Sequence, residues 1–170
     1  DLRNIMYTAQ TGLKQPIAIR YPRGRGNHSD WKFPFEKIEI GKANELKKGS
    51  KLAVISTGTM ANNVSNAIAL SKNQAQIAHF DFGFIKPLDE KLLHHIAQTY
   101  TTIITVEDGS TIGGLGSAIS EWIHAFNYAT KMITVGIPDL FIEHGTIQQL
   151  QAICKIDTEN LLNIFDNELK

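Results

Sequence analysis

The chain has 170 residues, which suits one compact domain with a short extension. Lysine plus arginine and aspartate plus glutamate each number 17, so there is no net basic field for nucleic acid. No apolar run reaches the length needed to cross a membrane. The single cysteine, Cys154, lies in an apolar helical pattern, which indicates a core residue and fits a reducing cytoplasm. Because the chain begins with Asp1 and carries no signal peptide, we expect a cytoplasmic piece of a longer protein.

The N-terminal part combines a short helix with irregular segments. Residues 1–12 predict a helix, and residues 16–20 predict a brief strand. The stretch R-Y-P-R-G-R-G-N-H at 20–28 has neither helical nor strand periodicity and predicts a loop that opens a linker. Aromatic side chains alternate through 31–35, and we expect them to hold this linker against a neighbouring surface.

From residue 38 onward, strand and helix patterns alternate. The predicted strands are an edge strand within 38–46 and further strands at 51–56, 76–80, 102–106 and 132–135. The predicted helices begin near Met60, Asp89, Leu115, Thr146 and Thr158. Asp89 is predicted to be an N-cap, and Thr146 opens a capping box. This alternation implies a largely parallel sheet covered on both faces.

The stretch from Thr105 to Gly116 joins a predicted buried strand to a predicted helix through a loop that contains four glycines. In an open α/β sheet, ligands and partners dock at the carboxyl ends of strands, and glycine lets a backbone approach closely. The G-L-G at 114–116 begins a dinucleotide fingerprint, but Ile119 stands where the third glycine is needed. We therefore expect a docking or packing surface rather than a nucleotide cradle.

Two adjacent carboxylates, Glu107 and Asp108, stand at the end of this strand. Neighbouring residues of a strand point to opposite sides, so the two cannot act as a pair on one substrate. We expect Glu107 to accept N–H bonds from the loop, a structural role shared with Gly113, Gly114 and Gly116. Asp108 is expected to be solvated or interfacial. The histidines lack zinc spacing, and we predict neither a catalytic residue nor a metal site in this chain.

Five stretches together resemble one family. They are R-Y-P-R-G at 20–24, I-G-K-A at 40–43, K-P-L-D-E at 86–90, T-V-E-D-G and G-G-L-G-S-A within 105–118, and G-I-P-D-L-F-I-E-H-G at 136–145. In this order and spacing they are similar to the C-terminal part of the 1-deoxy-D-xylulose-5-phosphate synthases, which are transketolase-like enzymes. The first and last stretches favour this family over ordinary transketolases and over the β subunits of pyruvate dehydrogenase.

The resemblance implies a transketolase C-terminal domain, a three-layer α/β/α unit with a mixed, mostly parallel sheet of about five strands. Residues 1–24 would be the tail of the preceding pyrimidine-binding domain, 25–37 a linker, and 38–170 the C-terminal domain. The whole enzyme would be a transferase that condenses pyruvate with glyceraldehyde 3-phosphate, releases carbon dioxide, and feeds isoprenoid and thiamine biosynthesis.

The resemblance also implies cofactors and partners. Thiamine diphosphate and magnesium would serve the whole enzyme but would be bound mainly outside this chain. Members of the family act as homodimers. The expected partners are therefore the remaining domains of the same enzyme, a second copy and small-molecule substrates, with no nucleic acid and no membrane.

The resemblance places a substrate-phosphate ligand in the R-Y-P-R-G stretch. Arginine supplies the charge and the paired planar donors that a phosphate needs, and we assign this role to Arg23 first and Arg20 second. Either arginine could instead pair structurally with a neighbouring carboxylate. The family pattern D-x-R-F-x-K-P-L-D is broken at Gly83, which lacks the charge and the donors of the usual arginine.

The leading hypothesis is the C-terminal segment of a thiamine-dependent synthase, supporting the dimer and the substrate mouth and inactive by itself. The G-D-G motif of a thiamine diphosphate site is missing: the triplet at 107–109 is E-D-G. One alternative is a stand-alone, non-catalytic binding module of the same fold. Another is the C-terminal domain of a 2-oxo acid dehydrogenase β subunit, against which the R-Y-P-R-G stretch argues.

Overall fold

The computed structural model describes residues 2–22 and 32–170, in which strands and helices alternate. The helices are α1 (Leu2–Gln10), α2 (Met60–Leu70), α3 (Glu90–Thr99), α4 (Leu115–Ala125), α5 (Ile147–Ile153) and α6 (Thr158–Glu168). The strands are β1 (Asn44–Lys47), β2 (Leu52–Ser56), β3 (Ile77–Asp81), β4 (Thr102–Ser110) and β5 (Lys131–Ile137). A short 3-10 turn, Gln74–Gln76, leads into β3. None of the helices in the described ranges is long and apolar enough to cross a membrane.

One five-stranded sheet has the order β1-β3-β2-β4-β5. β2 pairs in parallel with β3 on one side and with β4 on the other, and β5 pairs in parallel with β4. Only β1, at the edge next to β3, runs antiparallel. The predicted fold class, an α/β unit with a mixed and mostly parallel sheet, is confirmed.

Two hydrophobic clusters cover the two faces of the sheet. The alternation of side chains along a strand divides β2 between them. Leu52 and Val54 pack with α2 and α6, whereas Ala53 and Ile55 pack with α3 and α4. All five residues of β2 are buried, as expected for a central parallel strand with helices on both sides.

The predicted helix caps form through local hydrogen bonds. The carboxylate of Asp89 accepts the Leu92 N–H at 3.1 Å and thereby caps α3. At α5, the Thr146 hydroxyl accepts the Gln149 N–H, and the Gln149 side chain accepts the Thr146 N–H at 2.9 Å. Thr59 occupies the N-cap position of α2, but its side chain makes no capping bond.

Two predicted strands differ from the structure. Residues 16–20 form no strand, because this segment pairs with no other strand in the described part of the chain. The edge strand predicted within 38–46 is confined to β1. Gly41 adopts φ +76°, which turns the chain before β1 begins.

Helix α1 is held to the segment that leads into β1. The Ile38 N–H donates to the Thr8 hydroxyl at 2.8 Å, and Thr8 is the one buried residue of α1. Tyr7 stacks on Phe35 with ring centroids 5.1 Å apart, which supplies part of the expected aromatic clamp. Phe33 is exposed, and Trp31 lies outside the described residues.

Lys47 secures the edge of the sheet. Its ammonium donates to the backbone carbonyls of Lys48, at 3.1 Å, of Gln74, and of Ile77, at 3.0 Å. These bonds tie the end of β1 to the turn that precedes β3.

A histidine is buried on β3, the strand next to the edge of the sheet. His79 on β3 is 1% exposed. Its Nε2 lies 2.8 Å from the Ser56 hydroxyl and its Nδ1 lies 3.3 Å from the Ser65 hydroxyl. A neutral imidazole can donate through one nitrogen and accept through the other, so it satisfies both serines. Burial lowers the pKa of His79 from 6.5 to about 4, because the charged ring would lose its hydration.

The pKa of His79 predicts a loss of stability in mild acid. Below pH 6.5 the unfolded chain binds a proton that the folded chain does not, so the free energy of unfolding falls as the pH drops from about 6.5 to about 4. The full shift corresponds to ~3 kcal/mol. Urea denaturation across this pH range measures it.

The matched variants are His79→Gln and His95→Gln, since His95 is exposed on α3. We expect His79→Gln to flatten the pH dependence and His95→Gln to leave it unchanged. Equal slopes for wild type and His79→Gln would show that another group controls stability in this range.

Candidate functional site

The carboxyl ends of β2 and β4 meet where the connections of the sheet change direction. β2 continues through α2 to β3 on one side, whereas β4 lies on the other side of β2 and continues through α4 to β5. The helices α2 and α4 pack on opposite faces of the sheet. In open α/β sheets, the crevice outside such a switch point is the usual place for ligands. The loop rich in glycine follows β4 and therefore lies there.

A bulge ends the regular pairing of β4. Val106 pairs with Val135, but the next paired residue of β4 is Ser110, opposite Ile137. Between these two pairs, β4 moves on by four residues and β5 by only two. The segment 107–109 therefore lies outside the ladder. Bulges of this kind redirect side chains and backbone groups, and they are frequent beside active sites.

Glu107 fills the first turn of α4. Its side chain is 3% exposed, and its two carboxylate oxygens accept the N–H groups of Leu115, at 3.0 Å, and Gly116, at 2.9 Å. These amides have no partner within the helix, and the helix dipole favours negative charge at this end. The carboxylate of the chain itself therefore occupies the position that a bound anion would take.

Close packing or backbone conformation requires glycine at three positions of the loop. A Cβ at Gly114 would stand 2.1 Å from Oε2 of Glu107, and a Cβ at Gly116 would stand 2.8 Å from the hydroxyl of Thr105. Gly113 has φ +76°, which residues with a side chain rarely adopt. The structure thus brings Glu107, Gly113, Gly114 and Gly116 together in one closed loop.

Arg20 lies against the bulge. One guanidinium nitrogen, Nη2, donates to the backbone carbonyl of Asp108, 88 residues away in the sequence. Asp108 itself is half-buried. Arg23, the other arginine predicted to bind phosphate, lies outside the described residues.

The remaining groups near this loop do not form a catalytic set. Cys154 is half-buried, and burial and then the charge of Asp108 raise the pKa of its thiol, which disfavours the reactive thiolate. No group of three or more histidine, cysteine or acidic side chains in the ranges 2–22 and 32–170 is arranged to hold a metal ion. Because the carboxylate of Glu107 already accepts the first two amides of α4, this loop does not fit the diphosphate of thiamine diphosphate.

Two contacts at this edge and in the core were not predicted. Sequence patterns gave no signal for the bond between Arg20 and Asp108, because its acceptor is a main-chain oxygen that any residue would supply. They also gave none for the interaction of His79 with Ser56 and Ser65, which depends on the register of β2, β3 and α2.

Gly83 has no positive φ, and no atom lies within 4 Å of where its Cβ would stand, so packing does not require glycine there.

The buried carboxylate predicts a stability loss for Glu107→Gln. The amide can accept only one of the two N–H bonds and turns a donor toward the other, so we expect a loss of about 1–3 kcal/mol in the free energy of unfolding. Urea denaturation at pH 7 measures the loss. Glu121→Gln, on the exposed face of α4, is the matched control and should stay within about 0.5 kcal/mol of wild type. Equal stability of the two variants would contradict the structural role of Glu107.

Residues 41–161 match the family model described as the transketolase C-terminal domain. Among curated proteins, the 1-deoxy-D-xylulose-5-phosphate synthase of Bacteroides thetaiotaomicron is 45% identical over 163 residues, which are 95% of this chain and 25% of that enzyme. The synthase of Cytophaga hutchinsonii is 44% identical over 169 residues, which are 98% of this chain and 27% of that enzyme. The chain thus spans about a quarter of the length of these relatives.

Two solved structures have the same fold. A protein described as a split-gene transketolase, inactive β4 tetramer, is 28% identical with a TM-score of 0.68, over 75% of this chain and 42% of that one. Transketolase from Campylobacter jejuni is 17% identical with a TM-score of 0.52, over 75% of this chain and 18% of that one, and shows the fold alone. The chain belongs to the transketolase C-terminal domain family and resembles the C-terminal segment of 1-deoxy-D-xylulose-5-phosphate synthase.

Proposed function

We propose that this chain is the C-terminal segment of an enzyme that condenses pyruvate with glyceraldehyde 3-phosphate to 1-deoxy-D-xylulose 5-phosphate and carbon dioxide. Relatives of that name, 41–45% identical over nearly the whole chain, support the proposal. Thiamine diphosphate would supply the carbanion chemistry with magnesium as its counter-ion. Both would be held by another part of the enzyme, because the loop at the carboxyl edge is filled by Glu107.

The observation that carries the proposal is the placement of Arg20, the first residue of the R-Y-P-R-G stretch. The contact of Arg20 with Asp108 sets the start of this stretch at the carboxyl edge of the sheet, where an active site formed with another domain would open. We propose Arg23 as the phosphate ligand. Arg20 was the second candidate, but its guanidinium already has a protein acceptor.

We further propose that this chain is inactive alone and that residues 1–24 belong to the preceding domain, with a linker at 25–37 and the C-terminal domain at 38–170. The start of the matched family model at residue 41 supports this division. The similar split-gene transketolase chain is described as an inactive tetramer. This description supports the proposal that a chain of this fold lacks activity by itself.

We also propose that the carboxyl edge supports a homodimer. Several large apolar side chains are exposed in the loops after β4 and β5, namely Ile112 at 66%, Leu140 at 73% and Phe141 at 108%. Because β4 and β5 are neighbours, both loops lie at the same edge of the sheet. Clustered apolar side chains in solvent are typical of an interface.

The full-length enzyme that contains this chain tests the proposed reaction. We expect turnover of pyruvate and glyceraldehyde 3-phosphate, and we expect Arg23→Ala to raise KM for the aldehyde phosphate about 10–100-fold while KM for pyruvate stays nearly unchanged, because only the phosphate loses a charged donor. Steady-state kinetics with each substrate varied in turn measures both constants.

Arg25→Ala is the matched control, since it removes a nearby arginine for which we propose no ligand. The isolated chain of 170 residues is expected to show no turnover. Turnover by the isolated chain would contradict the proposed division of labour, and unchanged kinetics of Arg23→Ala would remove its role as phosphate ligand.

The dimer proposal is tested by Phe141→Ser in the full-length enzyme. We expect the loss of a large apolar contact to weaken self-association about tenfold or more. Sedimentation velocity over a concentration series measures the dissociation constant. Leu70→Ser is the control, because Leu70 is also exposed, at 65%, but ends α2 at the opposite edge of the sheet. Equal weakening by both variants, or by neither, would contradict an interface at the carboxyl edge.

A further inference from the structure

We propose that Arg20 is a positioning residue rather than a substrate ligand. Its guanidinium binds the backbone carbonyl of Asp108 and thereby anchors residues 20–22 to the bulge of β4. This inference rests on the proposed function, in which the R-Y-P-R-G stretch lines the substrate mouth. It assigns different roles to the two arginines of that stretch.

The bulge explains why a backbone acceptor is available. Pairing with β5 is interrupted between Val106 and Ser110, so the carbonyl of Asp108 is not part of the β4–β5 ladder. An arginine that reaches this oxygen satisfies a main-chain group and makes a charge-assisted hydrogen bond.

The bulge is held firmly enough to serve as an anchor. On one side, Glu107 is fixed by the amides of α4. On the other side, the Thr111 N–H donates to the Ile137 carbonyl at 3.0 Å. Gly136 packs so closely on the bulge that a Cβ there would lie 2.8 Å from the Gly109 carbonyl. Neither end of the segment 107–110 can shift without breaking one of these contacts.

Gly109 lies beside both the guanidinium and the buried carboxylate. A Cβ at Gly109 would lie 3.5 Å from Nη1 of Arg20, an ordinary contact, and 2.9 Å from Oε2 of Glu107, which is too close. Glu107 therefore excludes a side chain at the position next to Arg20. The planar guanidinium lies beside a residue that has no side chain, and it places one nitrogen on the carbonyl of Asp108.

The anchor restricts the chain that follows. Only Tyr21 and Pro22 stand between Arg20 and the next arginine of the motif, and proline fixes its own φ. Three residues reach at most about 11 Å, so fixing Arg20 sets an upper limit of that length on how far the backbone of the proposed phosphate ligand can lie from the anchor. An arginine that acts in this way should have no effect on substrate binding once that ligand is removed.

A double-mutant cycle in the full-length enzyme separates positioning from direct binding. We expect Arg20→Ala to lower kcat/KM for glyceraldehyde 3-phosphate about tenfold, mainly through KM, and to leave KM for pyruvate unchanged. In the Arg23→Ala background, Arg20→Ala should change kcat/KM by less than about twofold, because the ligand that it positions is gone. A further tenfold loss in that background would identify Arg20 as an independent phosphate ligand and overturn the proposal.

Two further variants complete the kinetic test. Arg20→Lys should recover part of the loss, because an ammonium can still donate to the carbonyl of Asp108 but lacks the planar fork. Lys14→Ala, which removes an exposed cation from the same segment, should match wild type. An equal loss in Arg20→Lys and Arg20→Ala would contradict an anchor made through one hydrogen bond.

Limited proteolysis provides a readout that does not depend on the reaction. In Arg20→Ala, trypsin should cut after the exposed Lys14 about tenfold faster than in wild type, because the anchor at the end of this segment is lost. Asp108→Ala should leave this rate unchanged, because the acceptor is the backbone carbonyl. If the enzyme turned over neither substrate, the proposed function would fail, whereas an unchanged cleavage rate in Arg20→Ala would overturn the anchor itself.

Discussion

The ion–dipole contact between Glu107 and the first turn of α4 determines the shape of the carboxyl edge. A carboxylate that accepts two backbone amides at a helix start is stabilised by the hydrogen bonds and by the helix dipole. Glu107 lies in the bulge, outside the β4–β5 ladder, and a Cβ at Gly114 would stand 2.1 Å from its Oε2. The bulge, the closed loop and the carbonyl of Asp108 that Arg20 binds all lie around this one contact.

The same contact separates this domain from nucleotide-binding domains of similar topology. Those domains leave the helix start open so that its amides can bind a phosphate. Here the anion is the carboxylate of Glu107, which belongs to the strand itself. The helix start therefore holds the loop in place instead of binding a ligand. The amides of Leu115 and Gly116 are therefore occupied by a carboxylate of the chain itself.

Features that depend on residues close together in the chain were predictable from the sequence, whereas features that depend on distant residues were not. Asp89 and the Thr146–Gln149 pair were predicted because a cap needs only residues three positions apart. The buried strand at 102–106 was predicted because a continuous apolar run followed by a loop rich in glycine can be seen in neighbouring residues. Residues 16–20 were wrongly predicted as a strand, because a strand requires a partner that local composition cannot reveal.

The candidate site was less accessible from the sequence. The glycines and Glu107 were recognised as a group because they are close in the chain. The resemblance to the 1-deoxy-D-xylulose-5-phosphate synthases indicated that this loop belongs to a transketolase C-terminal domain. The contact of Arg20 with a main-chain oxygen 88 residues away leaves no mark on residue type. The bulge is a mismatch in residue number between β4 and β5. It becomes visible only when the register of the two paired strands is known.

The bonds of Lys47 have a consequence for how the protein avoids unwanted assembly. An edge strand offers unpaired backbone groups to any extended chain, and short length and lysine are two common defences. β1 has four residues, and its last side chain folds back onto the turn before β3. A strand from another molecule is therefore less able to pair with β1 and extend the sheet. Contacts between molecules are then made by side chains, and the main-chain pairing that leads to aggregation is disfavoured at this edge.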